Sequence, residues 1–122
     1  MLGQFAIKHD ELKLSLGECA KPLALVLRVD GVLDSENSQD FFKTASLVLA
    51  DSRAFGGLIL DLPSLTYLSS TGIGSMASLL LASREQETPL YLRGMRPQVK
   101  ALFDALGFDA FFSFLEAEGG TA

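Results

Sequence analysis

The stretch Leu58-Ile59-Leu60-Asp61-Leu62, followed shortly by Ser69-Ser70-Thr71-Gly72-Ile73-Gly74, decides the fold. The first part is an apolar run of the length that suits a buried strand. Pro63 ends its ladder, because proline has no N–H to donate. Beyond the hydroxyl-rich segment, residues 73 to about 84 recur with helical periodicity. A helix following Gly72 would place Ile73, Met76, Ala77, Leu80, Leu81 and Arg84 on one side. Its opposite side reads Thr71, Gly74, Ser75, Ser78, Ala82 and Glu85, nearly all small in the first two turns. A strand, a short connection and a glycine-started helix thus gather small polar groups at a helix N-terminus, as a site for another protein to read.

Working upstream, Asp34 or Ser35 starts an earlier helix, since either side chain can accept from its first unpaired N–H groups. Phe41, Phe42, Ala45, Val48 and Leu49 make its apolar face, while Gln39, Lys43 and Ser46 face water. Before it, residues 23–29 are nearly all apolar, as in a strand covered on both faces. Residues 17–22 read as a turn, and Phe5-Ala6-Ile7-Lys8 with Leu12-Lys13-Leu14-Ser15-Leu16 as a short hairpin. Downstream, Leu90-Tyr91-Leu92 is a short strand. Pro97 suits the first residue of a third helix, whose core face is Val99, Leu102, Phe103 and Leu106. Gly107 offers a left-handed cap against which Phe108 folds back. Phe111, Phe112 and Phe114 form an aromatic end piece, and residues 116–122 a flexible tail.

The order is strands first, then helix, strand, helix, strand, helix. The alternating half implies parallel strands joined by right-handed crossovers. The expected fold is α/β, a mixed four- to five-stranded sheet with helices mostly on one face. Residues 1–115 form one domain, without an internal repeat or linker.

Bulk properties narrow the function. The chain has 122 residues, enough for one core, with 48% hydrophobic and 20% charged residues. A formal net charge of -5 and a pI near 4.7 argue against nucleic acid as a partner. The single cysteine, Cys19, cannot form an internal disulfide, and one histidine, His9, leaves little for a metal site. Charged Lys8, Asp10 and Glu11 follow the first residues closely, so no signal peptide is expected. No apolar run approaches the ~18 residues of a membrane span, and the expected location is the cytoplasm.

Enzyme chemistry finds few footholds. Ser70 is a nucleophile type, but the only histidine is near the N-terminus and there is no Gly-x-Ser-x-Gly elbow. Gly72-Ile73-Gly74 lacks the third glycine of a dinucleotide fingerprint and the Gly-Lys-Ser/Thr of a phosphate loop. Asp30, Asp34 and Asp61 could meet near strand ends around a magnesium ion, but capping and solvated loop ends explain them more simply. The expectation is a protein without catalysis, cofactor or metal. One hydroxyl among Ser69, Ser70 and Thr71 suffices to cap a helix. Small residues at Gly74, Ser75 and Ser78 serve either tight packing within the domain or close approach by a partner. Their position next to the hydroxyl cluster favours the partner.

The chain resembles the STAS domain family, and within it the stand-alone anti-sigma factor antagonists of bacteria. Val29-Asp30-Gly31-Val32-Leu33-Asp34 is similar to the family's Gly-x-Leu-Asp turn before the first helix. The two stretches quoted at the outset are similar to its central strand, phosphoacceptor loop and helix start. Leu90-Tyr91-Leu92 through Leu106-Gly107-Phe108 is similar to its last strand, the following helix and the Gly-Leu/Phe ending. The resemblance covers roughly residues 5–114. It implies an antagonist that binds a histidine-kinase-like anti-sigma factor and frees the sigma factor. That anti-sigma factor, also a serine kinase, would phosphorylate the antagonist, and a PP2C-type metal-dependent phosphatase would reverse the step. The family motif is Asp-Ser-Ser/Thr-Gly, with the serine after the aspartate accepting phosphate. Laid on this chain, the acceptor is Ser70, and the aspartate position holds Ser69. Asp34, Ser69, Thr71, Gly72, Gly74, Ser75 and Ser78 are then the implied partner contacts. The resemblance extends to accessory subunits of lipid ABC or anion transporters, and a signalling scaffold without phosphorylation is a further alternative.

Overall fold

In this computed structural model, residues 3–5, 12–20, 23–107 and 113–115 are described, the first and last of these segments by backbone alone. The strands are β1 (Gly3–Phe5), β2 (Leu12–Ala20), β3 (Leu23–Leu33), β4 (Leu58–Asp61), β5 (Leu65–Leu68), β6 (Leu90–Arg93) and β7 (Ser113–Leu115). The helices are α1 (Ser38–Ser52), extended by a 3-10 turn at Arg53–Phe55, α2 (Ser70–Glu85) and α3 (Pro97–Ala105). β3 is the longest strand, with 11 residues, and the sheet is built outward from it. The strand order is β1-β2-β3-β4-β6-β7, with β5 also paired to β3. β1, β2 and β3 are antiparallel neighbours, whereas β3–β4, β3–β5, β4–β6 and β6–β7 are parallel.

The mixed α/β architecture is the expected one, with seven strands among the described residues rather than four or five. The surplus comes from short pieces. β5 is a four-residue strand hidden in what reads as a loop, because Pro63 and Ser64 break the apolar pattern before it. β4 and β5 lie in series along one edge of β3: Leu25–Arg28 pair with Leu58–Asp61, and Gly31 to Leu33 with Leu65 to Leu68. The β3–β5 ladder shifts register between Gly31 and Val32, where Thr66 is the extra residue on β5, and the φ of 102° at Gly31 suits glycine. β2 runs on to Ala20 through the segment expected to turn, held by full antiparallel pairing to β3. Of the expected first strand, only Phe5 lies in β1, and residues 6–8 fall outside the described residues.

Alternation along the strands separates two faces. Leu25, Leu27, Val29, Leu58, Leu60, Leu90 and Leu92 join Phe41, Ala45, Ile73, Met76, Leu79, Val99 and Phe103 in one core, so all three helices pack on the same face. Ala24, Val26 and Ile59 point to the other face, with Cys19 and Tyr91 packed against them. There Asp61 and Arg93, register partners on β4 and β6, form an ion pair at 3.0 Å with both side chains largely buried. Burial opposes the Arg93 charge, and the bond and field of Asp61 outweigh it, so its pKa lies above the ordinary guanidinium value.

Helix faces differ in detail from the periodicity. On α2, Leu79 and Ser83 are buried while Leu81 is 62% exposed, because the helix rotates to lay Gly72 and Leu79 on the sheet. Ser46 on α1 is half-buried rather than solvent-facing. On α3, Val99 and Phe103 are buried, but Leu102 and Leu106 are exposed. Gly107 has the expected left-handed φ of 78° and donates to Asp104 O at 3.0 Å. Phe108, Phe111, Phe112 and the tail at 116–122 lie outside the described residues, and Phe114 belongs to β7.

Gly72 is where helix and sheet come closest. A Cβ there would stand 2.9 Å from both Leu33 O and Leu68 Cδ1, whereas a Cβ on Gly74 would meet nothing within 4 Å. Gly72→Ala is expected to lower stability in urea unfolding by about 1–3 kcal/mol through overpacking. Gly74→Ala is expected to raise it by up to about 1 kcal/mol through helix propensity alone.

Candidate functional site: the start of helix α2 and its groove

α2 begins at Ser70, three residues earlier than periodicity alone places it. Ser69 is the N-cap, with extended φ and ψ of -80° and 166°, and its Oγ accepts from Gly72 N at 3.0 Å. Three neighbouring hydroxyls made the cap ambiguous in the sequence; the geometry selects Ser69 because its amide is also held, donating to Leu33 O at 2.9 Å. Ser70 and Thr71 are therefore the first two helical residues, and both are exposed. The first turn carries no acidic residue, so the positive end of the helix dipole is not neutralised locally.

Beyond them, Ser75 is half-buried and its Oγ donates to Gly72 O at 2.7 Å, while Gly74 and Ser78 are exposed. These residues form one wall of an open groove of about 440 Å³, with Thr71 at one end and Ser38, Gln39 and Phe42 of α1 as the other wall. α1 and α2 lie side by side from this end to the far one, where Gln86 Nε2 donates to Leu49 O at 2.8 Å. The chain carries no charged residue between Asp61 and Arg84, so the whole α2 wall is neutral.

The loop into α1 leads directly to Ser38, which lines the groove. α1 starts at Ser38, later than the expected Asp34 or Ser35, because Asp34 is engaged in a turn before the helix. Its Oδ1 accepts from Glu36 N at 2.9 Å and Asn37 N at 3.2 Å. Asn37 answers in kind: its Oδ1 accepts from Asp34 N at 2.9 Å, and its Nδ2 donates to Val32 O at 2.9 Å. Asn37 is 1% exposed, a buried polar residue that the sequence reading passed over. Its only local signal was an amide three residues after Asp34, before a helical pattern, which fits a turn equally well.

The expected contacts therefore divide. Ser70, Thr71, Gly74 and Ser78 are exposed along one edge, with Ser69 and Ser75 half-buried behind them. Gly72 is buried against β3 and β5, and Asp34 is half-buried in its turn; both shape the site from within. Asp30 and Asp61 do not converge with Asp34 on an ion: Asp30 pairs with Arg28 at 2.9 Å and Asp61 with Arg93. Among the described residues, no helix is long and apolar enough to cross a membrane.

A family model, that of the STAS domain, matches residues 19–120. No sequence among curated proteins matches. Among solved structures, the chain is similar to the anti-sigma factor antagonist SpoIIAA in its unphosphorylated form, with a TM-score of 0.68 at 18% identity over 85% of this chain and 87% of that one. The phosphorylated form from Bacillus gives 0.62 at 17% identity, covering 85% and 90%. An anti-sigma factor antagonist from Mycobacterium paratuberculosis also gives 0.62, at 20% identity over 93% and 85%. A structure of the diguanylate cyclase SiaD in complex with its activator SiaC, from Pseudomonas aeruginosa, gives 0.57 at 22% identity over 92% and 97%. At these identities the likenesses establish a shared fold.

The cap is directly testable. Ser69→Ala is expected to lower stability by about 1 kcal/mol, and Ser69→Asp to stay within about 0.5 kcal/mol of wild type, because either oxygen can accept from Gly72 N. Thermal unfolding of the two variants measures the difference.

Proposed function

This chain belongs to the STAS domain family, and from that membership we propose that it is an anti-sigma factor antagonist working by partner switching in the cytoplasm, without catalysis of its own. The observation that carries the reading is the position of Ser70, exposed as the first residue of α2 while Ser69 holds the cap beside it. The proposed partner is an anti-sigma factor with serine kinase activity. In its unmodified state the chain would offer the neutral groove and the small edge of Gly74 and Ser78 to that partner. The kinase would transfer the γ-phosphoryl group of ATP to Ser70 Oγ, releasing ADP and the hydroxyl proton. A PP2C-type phosphatase would return the hydroxyl by hydrolysis.

The physical consequence of the transfer is asymmetric. Phosphate adds about -1.5 to -2 charges and three acceptor oxygens. The domain itself can accommodate it, since a helix N-terminus favours an anion. Ser69 strengthens that point: a hydroxyl caps Gly72 N where a carboxylate would add a like charge next to the phosphate. A partner packed against the groove has no such accommodation. Bulk and desolvated charge would enter a close contact, and a hundredfold loss of affinity needs only about 2.8 kcal/mol.

A second reading keeps the docking site and drops the chemistry. The absence of an acidic side chain at position 69 and the likeness to a structure containing a cyclase activator support a signalling scaffold that binds without being modified. The two readings separate in one experiment. Incubation with the cognate kinase and ATP, followed by mass spectrometry, is expected to add one phosphate to the wild type and none to Ser70→Ala. Ser70→Asp is expected to bind the partner roughly a hundredfold more weakly in calorimetry. An unmodified Ser70, with equal binding by Ser70→Asp, would favour the scaffold.

A further inference from the structure

Helix α1 has a second flank, turned away from α2. Lys43, Leu47, Ala50 and Asp51 on the helix and Ala54 just after it are all exposed. At i, i+4, i+7, i+8 and i+11 they form one stripe. Leu47 is 72% exposed, although a lone surface helix gains solubility and propensity from a charged residue there. The stripe forms one wall of an open, mainly apolar cavity of about 670 Å³: Leu47, Ala50, Asp51 and Ala54 line it together with Leu16, Leu25 and Phe55.

The charges indicate what fits. Lys43 stands four residues before Leu47 and Asp51 four residues after it. If a second α1 is laid antiparallel across the first, with the two-fold axis near Leu47, each Lys43 faces an Asp51 of the other copy. The stripe is thus complementary to itself, the condition for a closed two-fold interface. Alanines at 50 and 54 allow close approach of the two helices. An acyl chain or a lipid surface would fill the cavity but leave one of the two opposite charges unanswered.

We propose that this flank of α1 is a self-association surface, in which Leu47 of each copy enters the apolar cavity of the other and Lys43 and Asp51 pair across the axis. The surface lies on the opposite side of α1 from the groove beside Ser70, so a dimer leaves both grooves open. The inference rests on this flank alone and stands apart from the proposed function.

Sedimentation of the full chain tests it. The wild type is expected to show a concentration-dependent dimer, and Leu47→Ser to remain monomeric. Lys43→Glu and Asp51→Lys are each expected to weaken association about tenfold or more, since two attractive pairs become two repulsive ones. An equimolar mixture of these two variants is expected to regain dimer, because the introduced glutamate faces the introduced lysine and one native pair survives. A wild type monomeric at every accessible concentration overturns the proposal. So does a dimer indifferent to both charge reversals, or a mixture that does not recover.

Discussion

The amide of Ser69 reaches the carbonyl of Leu33 at 2.9 Å, and Gly72 lies so close to the same carbonyl that a Cβ would stand 2.9 Å from it. This contact ties the start of α2 to the end of β3. It holds only because β3 is long enough to carry β4 and β5 in series, so that the chain leaves β5 directly beside Leu33. The loop into α1 leaves the same strand end and is held there by Asn37 on Val32 O. Two helix starts are thus fixed to one strand terminus, and the groove between them follows from that arrangement. In open α/β sheets this end of the strands is also the usual place for recognition.

Electrostatics then distinguishes this corner from the rest of the molecule. The arginines on β3 and β6 are each paired with an acid: Arg28 with Asp30, Arg93 with Asp61. At the start of α2 there is no charge to pair, and the free end of the helix dipole is left as the local field. A helix end of that kind favours an added anion. The serine at position 69 serves the same purpose in the fold as an aspartate would, by accepting from Gly72 N. The family's acid is therefore dispensable for capping, and its replacement changes the charge of the loop rather than its shape.

Much of the core was legible in the chain. Alternating and continuous apolar runs identified β3, β4 and β6, and the i, i+3/i+4 spacing identified all three helices, because burial on one face imposes those periods. Ser70 came from the resemblance to a known family, and Gly74, Ser75 and Ser78 from their smallness. What escaped were features decided by contacts distant in sequence. β5 is too short to show a period and exists because Gly31 to Leu33 offer it a free edge. Leu81 and Leu102 look like core and are exposed, since the helix rotation is set by what the sheet admits.

The sequence by itself determined the order of elements, the faces of the strands and the presence of a hydroxyl-rich helix start. These follow from local periodicity and from residue chemistry. Only the tertiary structure decided which hydroxyl caps, which glycine is packed and which is open, and that Asp34 is held in a turn ahead of α1 rather than starting the helix. The reason is common to all three. Each depends on the distance to Leu33 or Asn37, and those distances exist only once β3 has brought both helix starts to one end of the sheet.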